Sequence, residues 1–527
     1  MNRALALIAA LSGLMMAHPA QAQLRRIESG VVEGVTAPSG VEVWKGIPFA
    51  APPVRALRWK APQPVTPWQG SFHADRPAPM CLQPLRSRTM NHYFGNEAIS
   101  EDCLYLNVWA PQSAQGKALP VIVWIYGGAF NVGSANMANY DGEALAAKGV
   151  VRVNLAYRVG PLGFLAHPDL TQEGSGASGN YGLMDQIAGL EWVKRNIAAF
   201  GGDPANVTIV GQSAGSMSVA LLQQSPRAKG LFHKVVGMSG SPFGELLRPI
   251  PLAQAEAQDV DLQKALGVSG IEAMRDLPAD RILSVAQGVP REPIVIDGQV
   301  LTGTAQDVFA RRAQSDVPVM IGHTRDESFM SLGPVKSVAD WQAAIAKTFP
   351  EAAPQILKAY PVKEDGDVAR AVADVQRDAT LGRQMAGWAR AQAANGKAPA
   401  YVWQFTRRQP YAEGIRFADH DPATAGAYHT GDVPYWFRTL DSLNLFRTTR
   451  VWDAGDRALE EQMSSMLLAF ARTGVPAPDW PAFDPKRPRV MRLGFDRGVI
   501  DWPHYKTLDA LASAPVSRPA TGSRPRD

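Results

Sequence analysis

The stretch Val207-Thr208-Ile209-Val210-Gly211-Gln212-Ser213-Ala214-Gly215-Ser216, continuing to Leu222, decides the fold. Val207 to Val210 is a short apolar run that reads as a buried strand. Ser216 to Leu222, small residues and then apolar ones, reads as a helix. A Gly-x-Ser-x-Gly between strand and helix has the form of a nucleophile elbow. The turn is so tight that the residues two before and two after the serine must lack bulk, which Gly211 and Gly215 satisfy. The turn lifts the Ser213 hydroxyl clear of the sheet. It also puts the amide of Ala214 at a helix N-terminus, where it can donate to a developing oxyanion.

Outward from the elbow, the chain alternates. Leu104–Trp109, Val121–Tyr126 and Val150–Tyr157 read as strands, and Val41-Glu42-Val43-Trp44 alternates apolar and polar like a half-buried one. Between Tyr157 and the elbow, Leu183, Ile187, Leu190 and Ile197 recur at near-helical spacing. Strand, helix, strand, elbow, helix predicts an α/β fold with a mostly parallel sheet. Past Ser241 the pattern predicts helices over 253–266, 338–348, 367–395 and 457–473, and strands over 317–321 and 401–405. One domain over 23–512 with helical insertions after the elbow is expected.

The 527 residues are 46% hydrophobic and 19% charged, with a net charge of +4 and no block of Lys and Arg, so nothing points to nucleic acid. Met1-Asn2-Arg3, an apolar run from Ala4 to Ala17 and Ala20-Gln21-Ala22 predict a signal peptide over 1–22, and so an exported protein, periplasmic or extracellular. No later stretch is apolar enough to span a bilayer. The two cysteines, Cys81 and Cys103, are then expected to form a disulfide whose loop is worth about 3 kcal/mol. Residues 513–527, mostly Pro, Ser, Ala and Arg, read as a disordered tail.

A serine nucleophile needs a base, an orienting acid and oxyanion donors, and in chains with this elbow the acid and then the histidine follow the serine. The histidines available are His233, His323, His420, His429 and His504. His429, in Gly426-Ala427-Tyr428-His429-Thr430-Gly431, has the small neighbours of a presenting loop. His233 is expected to cap or pack. His420, between Asp419 and Asp421, is a weak cation candidate or a plain surface residue. Asp326 and Glu327 follow the strand at 317–321, where an α/β sheet places functional groups, and the residues alone leave the choice between them open. Gly127-Gly128 after another buried strand can free amides for a ligand.

Taken with Ser100-Glu101-Asp102-Cys103-Leu104-Tyr105-Leu106-Asn107-Val108, Asn180-Tyr181-Gly182-Leu183-Met184-Asp185-Gln186 and Ala198-Ala199-Phe200-Gly201-Gly202-Asp203-Pro204, these motifs closely resemble the type-B carboxylesterase family from about Gly30 to about Phe483. The resemblance implies the α/β-hydrolase fold, with a large central mixed sheet flanked by helices. It implies a serine carboxylesterase acting on a small-molecule ester with no metal or organic cofactor. By position it assigns Ser213 as nucleophile, Glu327 as acid and His429 as base, with Gly127, Gly128 and Ala214 as the oxyanion hole. It also matches Cys81–Cys103 to the family's first disulfide, Arg58–Glu101 and Arg158–Asp185 to structural ion pairs, and Ser239 to a serine supporting the triad.

Departures from the family pattern carry information. Gln212 stands where many members have Glu, and residues 82–102 lack the tryptophan that binds choline in cholinesterases. Both argue for a neutral ester. Ala129 replaces a third glycine, and Ser328 replaces the glycine after the acid. An amidase or acyltransferase would use the same triad, whereas a non-catalytic binding protein on this fold would be expected to have lost part of it. The sequence leaves the natural ester and the oligomeric state open.

Overall fold

The computed structural model describes residues 23–85, 90–91, 98–112 and 114–512. The expected signal peptide and the expected tail lie outside them. The sheet is built from β1 (Gln23–Ile27), β2 (Gly30–Thr36), β3 (Glu42–Pro48), β4 (Tyr105–Ala110), β5 (Leu119–Ile125), β6 (Val151–Leu155), β7 (Gly202–Gln212), β8 (Lys234–Met238), β9 (Val319–Thr324), β10 (Ala400–Phe405), β11 (Arg489–Leu493) and β12 (Gly498–Asp501). Their order is β1-β2-β3-β4-β6-β5-β7-β8-β9-β10-β11-β12, and a short strand, Ser71–His73, also pairs with β2. From β6 through β11 every pairing is parallel, while both flanks are antiparallel.

This order follows from burial. β5, β6, β8 and β9 are almost wholly buried, as parallel strands covered on both faces must be. Helices α1 (Tyr181–Asn196), α2 (Ala214–Gln224), α3 (Arg383–Asn395), α4 (Val433–Phe437) and α5 (Ala454–Thr473) are set among the strands in sequence. Together they bury one continuous apolar core. The helices over 338–377 carry a smaller core of their own around Trp341, Ile345, Phe349, Ile356 and Val375. Because the central strands are parallel, the residues just past β5, β7, β8, β9 and β10 all emerge at one edge of the sheet.

Two expectations need correcting. Val41 to Trp44 does not alternate inside and out: Glu42 is buried with its neighbours, and its carboxylate is neutralised by Arg25 at 2.5 Å. The single helix expected over 367–395 is two helices, Asp365–Arg377 and α3, joined by a π-helical turn at Asp378–Gly382. The buried Arg377 pairs with Asp378 at this joint, and the Thr380 hydroxyl bonds back to the Gln376 carbonyl. A hydroxyl competing for a helical carbonyl is one of the ordinary causes of a break.

Candidate active site

Ser213 sits between β7 and α2 at φ 57°, ψ −123°, a conformation that costs a non-glycine residue of order 1–3 kcal/mol. The surroundings enforce it. A Cβ on Gly211 would lie 2.1 Å from the Gly215 carbonyl oxygen, and one on Gly215 would lie 2.1 Å from that of Ile125. The Ser213 amide donates to the Met238 carbonyl at 2.8 Å, tying the elbow to the end of β8. Gly240 allows close approach there, since a Cβ would come 2.5 Å from the Ser213 carbonyl oxygen.

The loop past β5 reaches the same spot. A Cβ on Gly127 would lie 2.9 Å from Ser213 Cβ, so only glycine brings this backbone beside Ser213. Gly128 is at φ 121°, and Ala129 and Phe130 both have positive φ, so the chain is bent back sharply here. Ala214 opens α2, and the first amides of a helix have no partner within it. Gly127 and the Ala214 amide thus both lie at Ser213, while Gly128 packs against the Val132 carbonyl.

Past β9 the two adjacent carboxylates separate. Glu327 turns inward: Oε1 accepts from the Thr324 amide at 2.8 Å, and Oε2 lies 2.5 Å from His429 Nδ1. Its side chain is fully buried, while the His429 ring is about a fifth exposed. A carboxylate at Nδ1 fixes the proton there and leaves Nε2 as the basic nitrogen. Gln212 Nε2 is 3.1 Å from that Nε2, which places the imidazole against the elbow. The Phe329 ring meets the imidazole edge-to-face at 4.9 Å.

Asp326 turns the other way. Burial favours its neutral form, but Arg325, Arg370 and the Ala427 amide, which donates at 2.7 Å, outweigh that and hold it below the usual carboxylate range. Asp326 thus anchors the turn that begins the histidine loop. Gly426, at φ 59°, has no room for a Cβ against it.

Of the other expected residues, Cys81 and Cys103 are disulfide-bonded. Arg58 makes a two-pronged pair with Glu101, and Arg158 does so with the fully buried Asp185. The Ser239 hydroxyl is buried without a hydrogen-bond partner and touches none of Ser213, Glu327 or His429 by such a bond. Its contribution is backbone: Ser239, at φ 58°, donates its amide to the Gly322 carbonyl. His420 Nε2 is 2.5 Å from the Tyr411 hydroxyl, and the ring packs on Tyr428. His233 Nδ1 accepts from the Val207 amide, which is a packing role. Sequence reasoning missed Asp432, three residues after His429. It is buried, bonded to Trp436 Nε1, and pushed up to about 7, first by burial and then by the charge of Glu327. An acidic residue so close to the expected base was the available signal.

A profile of the Carboxylesterase family matches residues 21–507. The chain belongs to this family.

Fumonisin B1 esterase of Sphingopyxis macrogoltabida is 37% identical over 497 residues, 90% of this chain and 87% of that one. Para-nitrobenzyl esterase of Bacillus subtilis is 34% identical, covering 88% and 92%. A solved PNB esterase superposes with a TM-score of 0.77 at 32% identity, covering 93% of this chain and 99% of its own. This carboxylesterase has the α/β-hydrolase fold and is a carboxylic ester hydrolase. Among its described residues no helix is long and apolar enough to cross a membrane.

Proposed function

We propose that this carboxylesterase is exported and hydrolyses neutral carboxylic esters through Ser213, His429 and Glu327. The observation that carries the reading is one line of contacts: Thr324 amide to Glu327, Glu327 to His429 Nδ1, and His429 Nε2 beside the elbow. Ser213 Oγ attacks the ester carbonyl as its proton passes to His429 Nε2. Glu327 holds the other ring proton and stabilises the imidazolium. The oxyanion faces the amides of Gly127, Gly128 and Ala214. Collapse breaks the C–O bond, and the leaving alkoxide takes the proton from Nε2. Water then attacks the acyl-serine, giving its proton to His429, which returns it to Ser213 as the acid leaves.

The preference for a neutral ester rests on the local carboxylates. Glu327 is engaged by His429, Asp326 by two arginines and an amide, and Asp432 is buried with its neutral form favoured. With Gln212 uncharged, none of these is available to replace the hydration of a cationic alcohol group. The relatives' names, fumonisin B1 esterase and para-nitrobenzyl esterase, support ester hydrolysis as the reaction.

The test is a panel of aryl, alkyl, amide and choline substrates with Ser213→Ala alongside. Turnover of neutral esters should fall at least about 10³-fold in the folded variant. Butyrylcholine should be poorer than 3,3-dimethylbutyl butyrate by about tenfold. Near-normal turnover by Ser213→Ala, or a preference for the choline ester, would overturn the corresponding part. Export predicts a mature N-terminus at Gln23, readable by N-terminal sequencing of periplasmic or secreted protein.

A further inference from the structure

The histidine loop is held at its start by Asp326, yet His429 lies beyond that anchor, next to a strained residue. Thr430 has φ 74°, a left-handed conformation that a β-branched residue keeps only when its surroundings enforce it. The side chain of Gln409, four residues past β10 and 2% exposed, brackets this point. Its Nε2 donates to the Gly431 carbonyl at 2.9 Å, and its Oε1 accepts from the Tyr428 hydroxyl at 2.9 Å. One planar amide thus holds the residue before His429 and the second residue after it.

Gln409 is held in turn. Arg450 Nε donates to the same Oε1 at 2.9 Å, and Arg450 Nη2 donates to the Tyr428 hydroxyl at 3.2 Å. The Arg450 guanidinium is buried and stacks 4.4 Å from the Tyr411 ring centroid and 5.0 Å from that of Phe417. Among the described residues no carboxylate forms an ion pair with it. Nη2 also bonds to Asn91 Oδ1 at 2.5 Å, and the Asn91 amide bonds to Asp419. Asn91 belongs to the loop closed by Cys81–Cys103.

We propose that Gln409 is a positioning residue for His429. By fixing Tyr428 and Gly431 it sets the height at which Nε2 meets the elbow, and through Arg450 and Asn91 it makes that height depend on the disulfide loop. The proposal rests on the reading of His429 as the base. A base that must take a proton from Ser213 and return it to a leaving group tolerates little displacement. Gln409 forms its hydrogen bonds with Gly431, Tyr428 and Arg450 rather than with Ser213, Gln212, Gly127 or Gly128, so its loss should act on kcat and leave KM nearly unchanged.

The deciding variant is Gln409→Glu. Its carboxylate still accepts from Tyr428 and gives Arg450 a counter-charge, but it sets an oxygen against the Gly431 carbonyl. A merely structural role predicts an unchanged or raised Tm and unchanged kcat. A positioning role predicts that kcat on p-nitrophenyl butyrate falls about tenfold or more with KM within about threefold. The low-field proton resonance of the short His429–Glu327 hydrogen bond should also shift or broaden. If Gln409→Glu does not fold, Tyr428→Phe decides, since it removes the bonds of Gln409 and Arg450 to the residue before His429: a lowered kcat supports the proposal and an unchanged one overturns it. A fluorophosphonate separates this proposal from the reading beneath it. Failure to label wild-type Ser213 would sink the triad, whereas labelling of wild type and Gln409→Glu at equal rates would sink only the clamp.

Discussion

Asp326 and Glu327 are adjacent in sequence, yet one carboxylate accepts from the Ala427 amide and the other lies against His429 Nδ1. Glu327→Gln should lower kcat on p-nitrophenyl esters by about 10²-fold or more, because the amide no longer stabilises an imidazolium. Asp326→Asn should instead lower Tm, since it leaves Arg325 without its counter-charge and Arg370 with Asp374 alone, and its effect on kcat should be much the smaller. Steady-state kinetics beside thermal melts decide, and the reverse ranking would exchange the two roles. Asp432 makes a prediction about pH. Its carboxyl is raised to about 7 by burial and by Glu327, so the native state keeps a proton that the unfolded chain releases above about pH 4. Stability therefore falls as pH rises from about 4 to 7 and levels off above that. Asp432→Asn should flatten this slope, as read from urea midpoints between pH 4.5 and 8. An unchanged slope would mean that another group causes it.

At the scale of elements, the elbow is a contact between a strand, a helix and a neighbouring strand. Gly215→Ala must push a methyl into the carbonyl of Ile125 on β5, and Gly211→Ala must push one into Gly215. Backbone cannot yield there without unpairing β5 from β7. Both variants should lose Tm and activity together, unlike Ser213→Ala, which should lose activity alone. Circular dichroism melts of the three would show this, and a Gly215→Ala enzyme with wild-type Tm would contradict the packing argument. The elements were also where the sequence was least reliable at its edges. Glu42 looked like the outward residue of an alternating strand, because a burying partner 17 positions away, Arg25, is invisible to periodicity. The run 367–395 read as one helix because a π-helical turn keeps the same composition while changing the hydrogen bonding.

For the whole molecule, the disulfide closes a loop whose ends already pair, Cys81 with Ser100. Replacing both Cys81 and Cys103 by Ser should cost about 3 kcal/mol in chemical denaturation. Mass spectrometry of non-reduced wild-type peptides should show the two linked. Because Asn91 in that loop bonds Arg450, kcat should fall as well. A double variant destabilised but with full kcat would confine the bridge to a structural role.

Much of this protein could be read directly from its residues. The elbow, the buried parallel strands, the glycines past β5 and the small-residue setting of His429 each follow from local rules: a tight turn admits only small neighbours, and a strand covered on both faces must be apolar. The resemblance added the acid, which residue chemistry left open between two neighbours. Tertiary structure decided what depends on partners distant in sequence. It turned Asp326 toward Ala427 and Glu327 toward His429, about a hundred positions on, buried Asp432 beside a second carboxylate, and set the Tyr411 hydroxyl against His420. It also brought Gln409, Arg450 and Asn91 around the histidine loop, although no motif marks any of them. A hydrogen bond has direction and short range, so a polar side chain's role is set by whichever partner the packed core delivers to it. Chain order alone does not contain that information.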